Sequence, residues 1–373
     1  MVLTLVFPLT LTINAPSAKG NQRSIFPNRD KLTKKCNKLT SITLQLQTNR
    51  KTMPTEHATD ETINRASALI CAGDLVAFPT ETVYGLGADA TSDQAVAKVF
   101  AAKGRPDFNP LIVHVPDIAT AGMFAVISED ATALAKAFWP GPLTIIMAKK
   151  SDTQISARAT AGLDTVAIRC PGHPVALKLL QKCGRPIVAP SANRSGHVSP
   201  TNATHVAEDL GESLALIIDG GPTSIGLEST VITLVSFPKI LRPGAISQME
   251  IENILGPLNA PTGSETTKTG KIISPGQLAS HYAPETAIRL NTNHIEPDEA
   301  LLAFGPNPVD HEGPMINLSP DGNLDEAAAN LFASLRTLDK SGCATIAVMP
   351  IPDQGLGEAI NDRLKRAAAP RNI

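Results

Sequence analysis

Aromatic side chains are scarce in this sequence of 373 residues: Phe, Trp and Tyr together make 3%, with one tryptophan and two tyrosines. Cysteines are few as well, and Cys36, Cys71, Cys170, Cys183 and Cys343 form no C-x-x-C pair. That excludes a zinc ribbon, and an odd, scattered set in a chain this long points to a reducing compartment, the cytoplasm. No apolar run approaches the roughly 18 residues that cross a bilayer, so no membrane partner is expected. The Walker A pattern G-x-x-x-x-G-K-[ST] is missing, so any ATP site must be built another way.

What is present is unevenly distributed. Residues 1–52 hold nine Lys/Arg and one acid, Asp30, which leaves 24 basic and 34 acidic residues in the rest of a chain with 33 and 35 in all. An acidic body poor in aromatics is unsuited to a phosphate-backbone surface, and no stable nucleic-acid binding is expected. The leader opens "MVLTLVFPLTLTI" and then turns basic and Ser/Thr/Asn-rich. It reads as a targeting segment or as an upstream extension of the frame, with "MPTEHATDETI" at Met53 as an ordinary start, and no fold or chemistry is assigned to it.

From Asp60 onward helical and strand signals alternate. "DETINRASALICA" has helical spacing with Gly73 closing it, and "LVAFP" is the first strand. "SDQAVAKVFAAKG" carries Ser92 or Asp93 as N-cap and Gly104 as C-cap. "PLIVHV", "LTIIMAK", "TVAIRC", "PIVAPS", "LALIIDGG" and "STVITLV" follow as strands between helical segments, which predicts an α/β fold with a mixed sheet. Residues 256–271 then have linker composition, and 288–373 repeat the α/β theme more briefly.

"TETVYGLG", residues 80–87, follows the first strand as a turn closing on Gly-Leu-Gly. "GLGADA" satisfies G-x-G-x-x-A, but "TETVY" separates it from the strand, and Asp107 stands in "GRPDFNP" instead of at a second strand end. A dinucleotide fingerprint is therefore rejected.

The segments "PTETVYGLGA", "KGRPDFNPLIVHV", "WPGPLT", "TVAIRCPGHP", "APSANRSGHVSPT", "DGGPTSIGLESTV", "LRPGAI" and "SPGQLASHYAP" occur in this order. Together they resemble the threonylcarbamoyl-AMP synthase family in its two-domain form, over about residues 60–373. The resemblance implies a YrdC-like three-layer α/β fold with a twisted mixed sheet over 53–255. It further implies a linker over the active site at 256–287 and a smaller C-terminal α/β, Rossmann-like domain at 288–373. The implied reaction is a nucleotidyl transfer that converts L-threonine, bicarbonate and ATP, with Mg²⁺, into threonylcarbamoyl-AMP and pyrophosphate. The implied partner is the machinery that carries the threonylcarbamoyl group to adenosine 37 of tRNA.

The matched positions give Lys103, Arg105, Ser191 and Asn193 catalytic roles by resemblance. ATP contacts fall on Arg105, Asn109, Thr165, Ser191, Ser199, Arg242 and Tyr282, and L-threonine contacts on Thr82, His114, Arg169, Ala189 and Ser229. The residue types suit the chemistry: a carbamate oxygen attacking the α-phosphorus needs positioning and charge neutralisation, not a covalent nucleophile. Arg169 at a strand end suits a carboxylate. Tyr282 suits a linker that lies over the pocket, and the glycines of "TETVYGLG" would give tight backbone access to threonine. Taken alone, Lys103 and Arg105 also read as cations at a helix C-terminus, and His114 as a satisfied core histidine. No acidic pair announces a metal cage; Glu81 and Asp219 stay open, with Mg²⁺ held mainly by phosphates and water. A hydrogenase-maturation type of carbamoyl-adenylate former would need zinc-finger cysteines and a kinase-like module, and an RNA-binding member of the fold is opposed by the acidic body.

Overall fold

The computed structural model of the protein describes residues 55–258 and 281–370. The leader 1–52 and the stretch "SPGQLAS" of the linker lie outside the described residues. Ten strands make the larger sheet: β1 (Thr55–His57), β2 (Val76–Phe78), β3 (Gly85–Asp89), β4 (Ile112–His114), β5 (Leu143–Ala148), β6 (Thr165–Arg169), β7 (Ile187–Val188), β8 (Leu216–Asp219), β9 (Thr230–Thr233) and β10 (Lys239–Arg242). Their order is β1-β8-β2-β3-β7-β4-β6-β5-β9-β10, with parallel and antiparallel pairs mixed.

Helices start and stop where their caps dictate. α1 (Asp60–Cys71) begins at Thr59, whose hydroxyl accepts from the Thr62 amide at 3.1 Å, and α2 (Asp93–Lys103) is capped by Ser92 and ends at Gly104 with φ 59°. α3 (Ile118–Ala121) is a single turn; α4 (Glu129–Phe138), α5 (Pro174–Cys183), α6 (Ala203–Leu210) and α7 (Gln248–Leu255) complete this domain. The strand period of two sorts them into layers. Val76 and Phe78 pack with α1 and α5 on one face, while Ala77 packs with α2 and α4 on the other. The result is the expected three-layer fold.

Three local expectations change. Gly85–Asp89 is not the close of a turn but strand β3, antiparallel to β2. Its glycines make room for side chains: a Cβ on Gly87 would lie 2.8 Å from the Phe78 ring, and one on Gly85 3.1 Å from the Ala189 Cβ. They let the sheet pack closely at these positions. The sheet also runs past "STVITLV" into β10, and the composition shift after "LRPGAIS" hides α7, which opens with a Ser247–Glu250 capping box.

The C-terminal domain holds β11 (Ala287–Arg289), β12 (Glu299–Ala303), β13 (Met315–Asn317) and β14 (Thr345–Val348), all parallel in the order β11-β14-β12-β13. α8 (Leu324–Asp339) and α9 (Leu356–Ala367) pack together against it. Its core does not stop at the domain boundary. Val83, Val198 and Leu227 of the large domain join Leu331, Phe332 and Leu335 of α8 in one apolar cluster. Arg336 of α8 reaches Asp209 at 2.7 and 3.1 Å, and Gly226 approaches so closely that a Cβ there would lie 2.5 Å from the Ala328 carbonyl.

Candidate active site

A pocket opens where the ends of β4, β6, β7 and β10 meet the segment 80–84 after β2 and the residues just before β9. The register assembles it: His114 ends β4 directly opposite Arg169 at the end of β6, and Arg169 also faces Thr144 of β5. The Thr144 hydroxyl lies 2.8 Å from that of Ser229. Arg169 is buried and donates to the Thr82 hydroxyl at 2.9 Å, the Glu81 carboxylate at 2.6 Å and the Gly141 carbonyl at 3.3 Å. A buried guanidinium held on three sides presents its remaining edge in one orientation.

Of the residues singled out from sequence, Thr82, Arg105, His114, Arg169, Ala189, Ser191, Ser229, Arg242 and Tyr282 line this pocket. The other five do not. Lys103 is buried behind it, its ammonium donating to the carbonyls of Ser191 and Asn193. It thereby fixes the turn that carries Ser191 into the pocket. Asn193 spends its amide on the carbonyls of Arg194 and His197, both at 2.8 Å, and leaves Oδ1 buried without a partner. Asn109 is buried with neither side-chain polar atom paired, and its carbonyl accepts from Arg105. Ser199 donates to Glu228. Thr165 begins β6, four residues from Arg169 and so about 13 Å away along an extended strand. The structure does not bring Thr165 to the pocket.

Burial sets the protonation states. It pushes His114 down to about 3, with Arg169 adding to the effect, so the imidazole is neutral at physiological pH. His281 is held well below the ordinary histidine range by burial and by Arg105, Lys103, Arg242 and Arg363. Burial and then Arg105 push Lys103 well below the usual lysine range. Arg105 falls only to about 10, again by burial first, and remains a cation. Three arginines, Arg105, Arg169 and Arg242, therefore line one small pocket as charged groups. Burial works to raise the Glu81 carboxyl, but Arg169, paired with its Oε1, outweighs it and holds the group ionised. Asp219 is engaged with the Gly221 amide at 3.0 Å. Among the described residues there is no cluster of three or more His, Cys, Asp or Glu side chains to cage an ion.

One charged residue of the pocket, Glu228, escaped the sequence reading. Among the described residues Glu228 is the one acidic side chain lining the pocket, and it accepts from Ser199 and from Arg363 of α9, the latter at 2.9 Å. "GLESTV" contained it beside Ser229, but nothing local announces a partner 135 residues away. Tyr282 is fully buried at φ 63°, its ring 5.6 Å from Phe332 and 4.0 Å from His281, with Arg363 5.3 Å from its centroid. Its hydroxyl has no well-aligned hydrogen-bond partner among the described residues, although Arg242 stands close enough to interact with it. With His281 and Tyr282 in place, about 50 Å³ remains open, space for a few waters.

Comparison with known proteins agrees with this architecture. A family model described as "Telomere recombination" matches residues 68–244, and one described as "Threonylcarbamoyl-AMP synthase, C-terminal domain" matches 246–369. The chain is 43% identical over 330 residues to a Bacillus subtilis threonylcarbamoyl-AMP synthase, covering 84% of this chain and 95% of that one. It is 41% identical over 331 residues to the Pyrococcus abyssi threonylcarbamoyl-AMP synthase, covering 83% and 95%. Among solved structures, the crystal structure of P. abyssi Sua5 complexed with L-threonine superposes with a TM-score of 0.75 at 40% identity, over 84% of this chain and 96% of that one.

Proposed function

This chain belongs to the threonylcarbamoyl-AMP synthase family, and from that premise we propose how its pocket makes the product from L-threonine, bicarbonate and ATP. It is a threonylcarbamoyl-AMP-forming enzyme of the nucleotidyltransferase kind, serving tRNA threonylcarbamoyladenosine modification. The observation that carries the residue-level reading is the convergence of three charged arginines and a neutral histidine on one buried pocket. Arg169, oriented by Glu81 and Thr82, binds the carboxylate of L-threonine, with His114, Ala189 and Ser229 bounding the rest of the amino acid. The threonine amine attacks the bicarbonate carbon, and loss of one water leaves a carbamate. A carbamate oxygen then attacks the α-phosphorus, and pyrophosphate leaves. Arg105 and Arg242 stabilise the charge that develops on the phosphates, and Ser191, on the turn fixed by Lys103, positions them.

Mg²⁺ is proposed to enter with ATP. The described side chains do not form a cage for it; phosphate oxygens and water would hold it, and it would shield phosphate charge. His281 and Tyr282, at the end of the linker, cover the site and keep water from the mixed-anhydride product. The product passes to the tRNA-modifying machinery in the cytoplasm; no helix among the described residues is long and apolar enough to cross a membrane. The test is incubation with labelled bicarbonate, L-threonine and Mg·ATP. Threonine-dependent pyrophosphate release with a labelled adenylate is expected, and pyrophosphate release indifferent to threonine would overturn the reading.

A further inference from the structure

Arg363 is wholly buried, although it belongs to α9 of the small domain. Its Nε donates to the Glu228 carboxylate at 2.9 Å, one terminal nitrogen to the Glu228 carbonyl at 3.3 Å, and the other to Asp362 at 2.8 Å. Its guanidinium carbon lies 5.3 Å from the Tyr282 ring centroid, while the Arg366 carbonyl at the end of the same helix accepts from the His281 amide at 3.2 Å. Removing a guanidinium from water is costly, and domain adhesion alone does not require it. The apolar cluster around Phe332 and the Arg336–Asp209 pair already join the domains, and neither Arg336 nor Asp209 lines the pocket.

What Arg363 does touch is the pocket's acidic wall. Glu228 stands among groups that would receive a triphosphate, where an uncompensated carboxylate repels the ligand. Burial works to raise the Glu228 carboxyl, yet Arg363, Arg242 and the Ser199 hydroxyl outweigh it and keep the group ionised. Ionised and paired, Glu228 orders Ser199 without adding a net negative charge to the wall.

We propose that Arg363 is a positioning residue for the nucleotide half of the reaction: from the C-terminal domain it neutralises Glu228 and seats Tyr282 in the pocket. The small domain thus completes the active site electrostatically as well as by covering it. This inference rests on the reading of the pocket as an ATP site.

The test compares four full-length variants, with Mg·ATP and L-threonine binding read by calorimetry and turnover by pyrophosphate release. Arg363→Met is expected to weaken ATP binding about tenfold or more while threonine affinity changes less than about threefold. Glu228→Gln is expected to bind ATP more tightly than wild type, because an anion beside the phosphates is gone. The double variant should return ATP affinity to within about threefold of wild type, since a buried pair replaced by neutral groups leaves no orphan charge. Arg336→Met, which breaks an interdomain pair away from the pocket, should leave ATP affinity unchanged. If Arg363→Met does not fold, the double variant and Glu228→Gln carry the decision. A double variant that folds but stays as weak as Arg363→Met, a Glu228→Gln that loses ATP affinity, or an equal loss in Arg336→Met would each overturn the proposal. Wild-type protein that binds ATP but releases no pyrophosphate with threonine would instead count against the proposed reaction, leaving the charge-compensation result to be read separately.

Discussion

Around Arg169 every polar contact comes from the large domain: Glu81 and Thr82 after β2, Gly141 before β5, and His114 beside it on β4. Around Tyr282 the wall is shared, with Glu228 and Arg242 from the large domain and Phe332 and Arg363 from α8 and α9. In the proposed reading the amino-acid end is thus built within the large domain, whereas the wall around Tyr282, assigned to the nucleotide, is completed by the second domain. Register is rigid, while an interdomain seam has fewer constraints and is the natural place for substrates to enter and leave.

Removing residues 259–373 should separate the two ends most sharply. Pyrophosphate release is expected to fall about a hundredfold or more, because Tyr282 and Arg363 go together, whereas calorimetric threonine binding should persist within about tenfold. The truncated domain also bares Val83, Val198 and Leu227, so a lowered melting temperature is expected beside the lost turnover. A truncation with full product yield would dissolve the contrast.

Arg169→Ala attacks the other end. It should weaken threonine binding by about 2–4 kcal/mol and leave ATP affinity within about threefold. It also strands the Glu81 carboxylate in the interior, so stability should drop as well. Equal loss of both ligands in calorimetry would show that the ends are not separable. Arg105→Ala should cost about 1.5–3 kcal/mol of ATP affinity. Lys103→Ala should reduce turnover by loosening the Ser191–Asn193 turn, with threonine affinity kept. Near-normal turnover in both variants would remove them from the site.

Tyr282 offers a finer cut. Its hydroxyl has no well-aligned partner among the described residues, so Tyr282→Phe should keep turnover within about threefold while Tyr282→Ala loses about tenfold, because the ring and not the oxygen fills the seat. The reverse ranking in steady-state rates would assign the work to the hydroxyl. The smallest effect concerns pH. With His114 at about 3 when folded and near 6.5 when unfolded, the unfolded chain binds the extra proton between those values. The contribution of the neutral imidazole to stability is complete above about pH 6.5 and declines as pH falls toward 3. Threonine affinity should show no inflection from this group between pH 5 and 8, and one that His114→Gln abolishes would contradict a neutral imidazole.

Local physics made much of this readable in advance. Ser92 and Gly104 bracket α2 because a hydroxyl cap and a left-handed residue act within one turn of chain. The alternation of Val76, Ala77 and Phe78 between two faces is likewise a property of three consecutive residues. β10 and α7 were not read, since a short strand after a Pro-containing turn and a helix of eight residues carry little periodicity. The packing need for glycine in β3 was not legible, because the Phe78 ring and Ala189 methyl that take up the space come from distant segments of the chain.

The order of helices and strands, the caps, the cation-rich loops and the resemblance they carry were properties of the chain taken in line, since each depends on neighbours within a few residues. Only the folded molecule decided that Lys103 lies behind the pocket, that Thr165 and Arg169 stand at opposite ends of β6, and that Glu81 orients Arg169. It alone joined Glu228 to Arg363 across 135 residues. The reason is physical: a buried charge is tolerated only with a partner at hydrogen-bond distance, and which side chains become buried together is set by sheet order and domain docking, which no local pattern encodes.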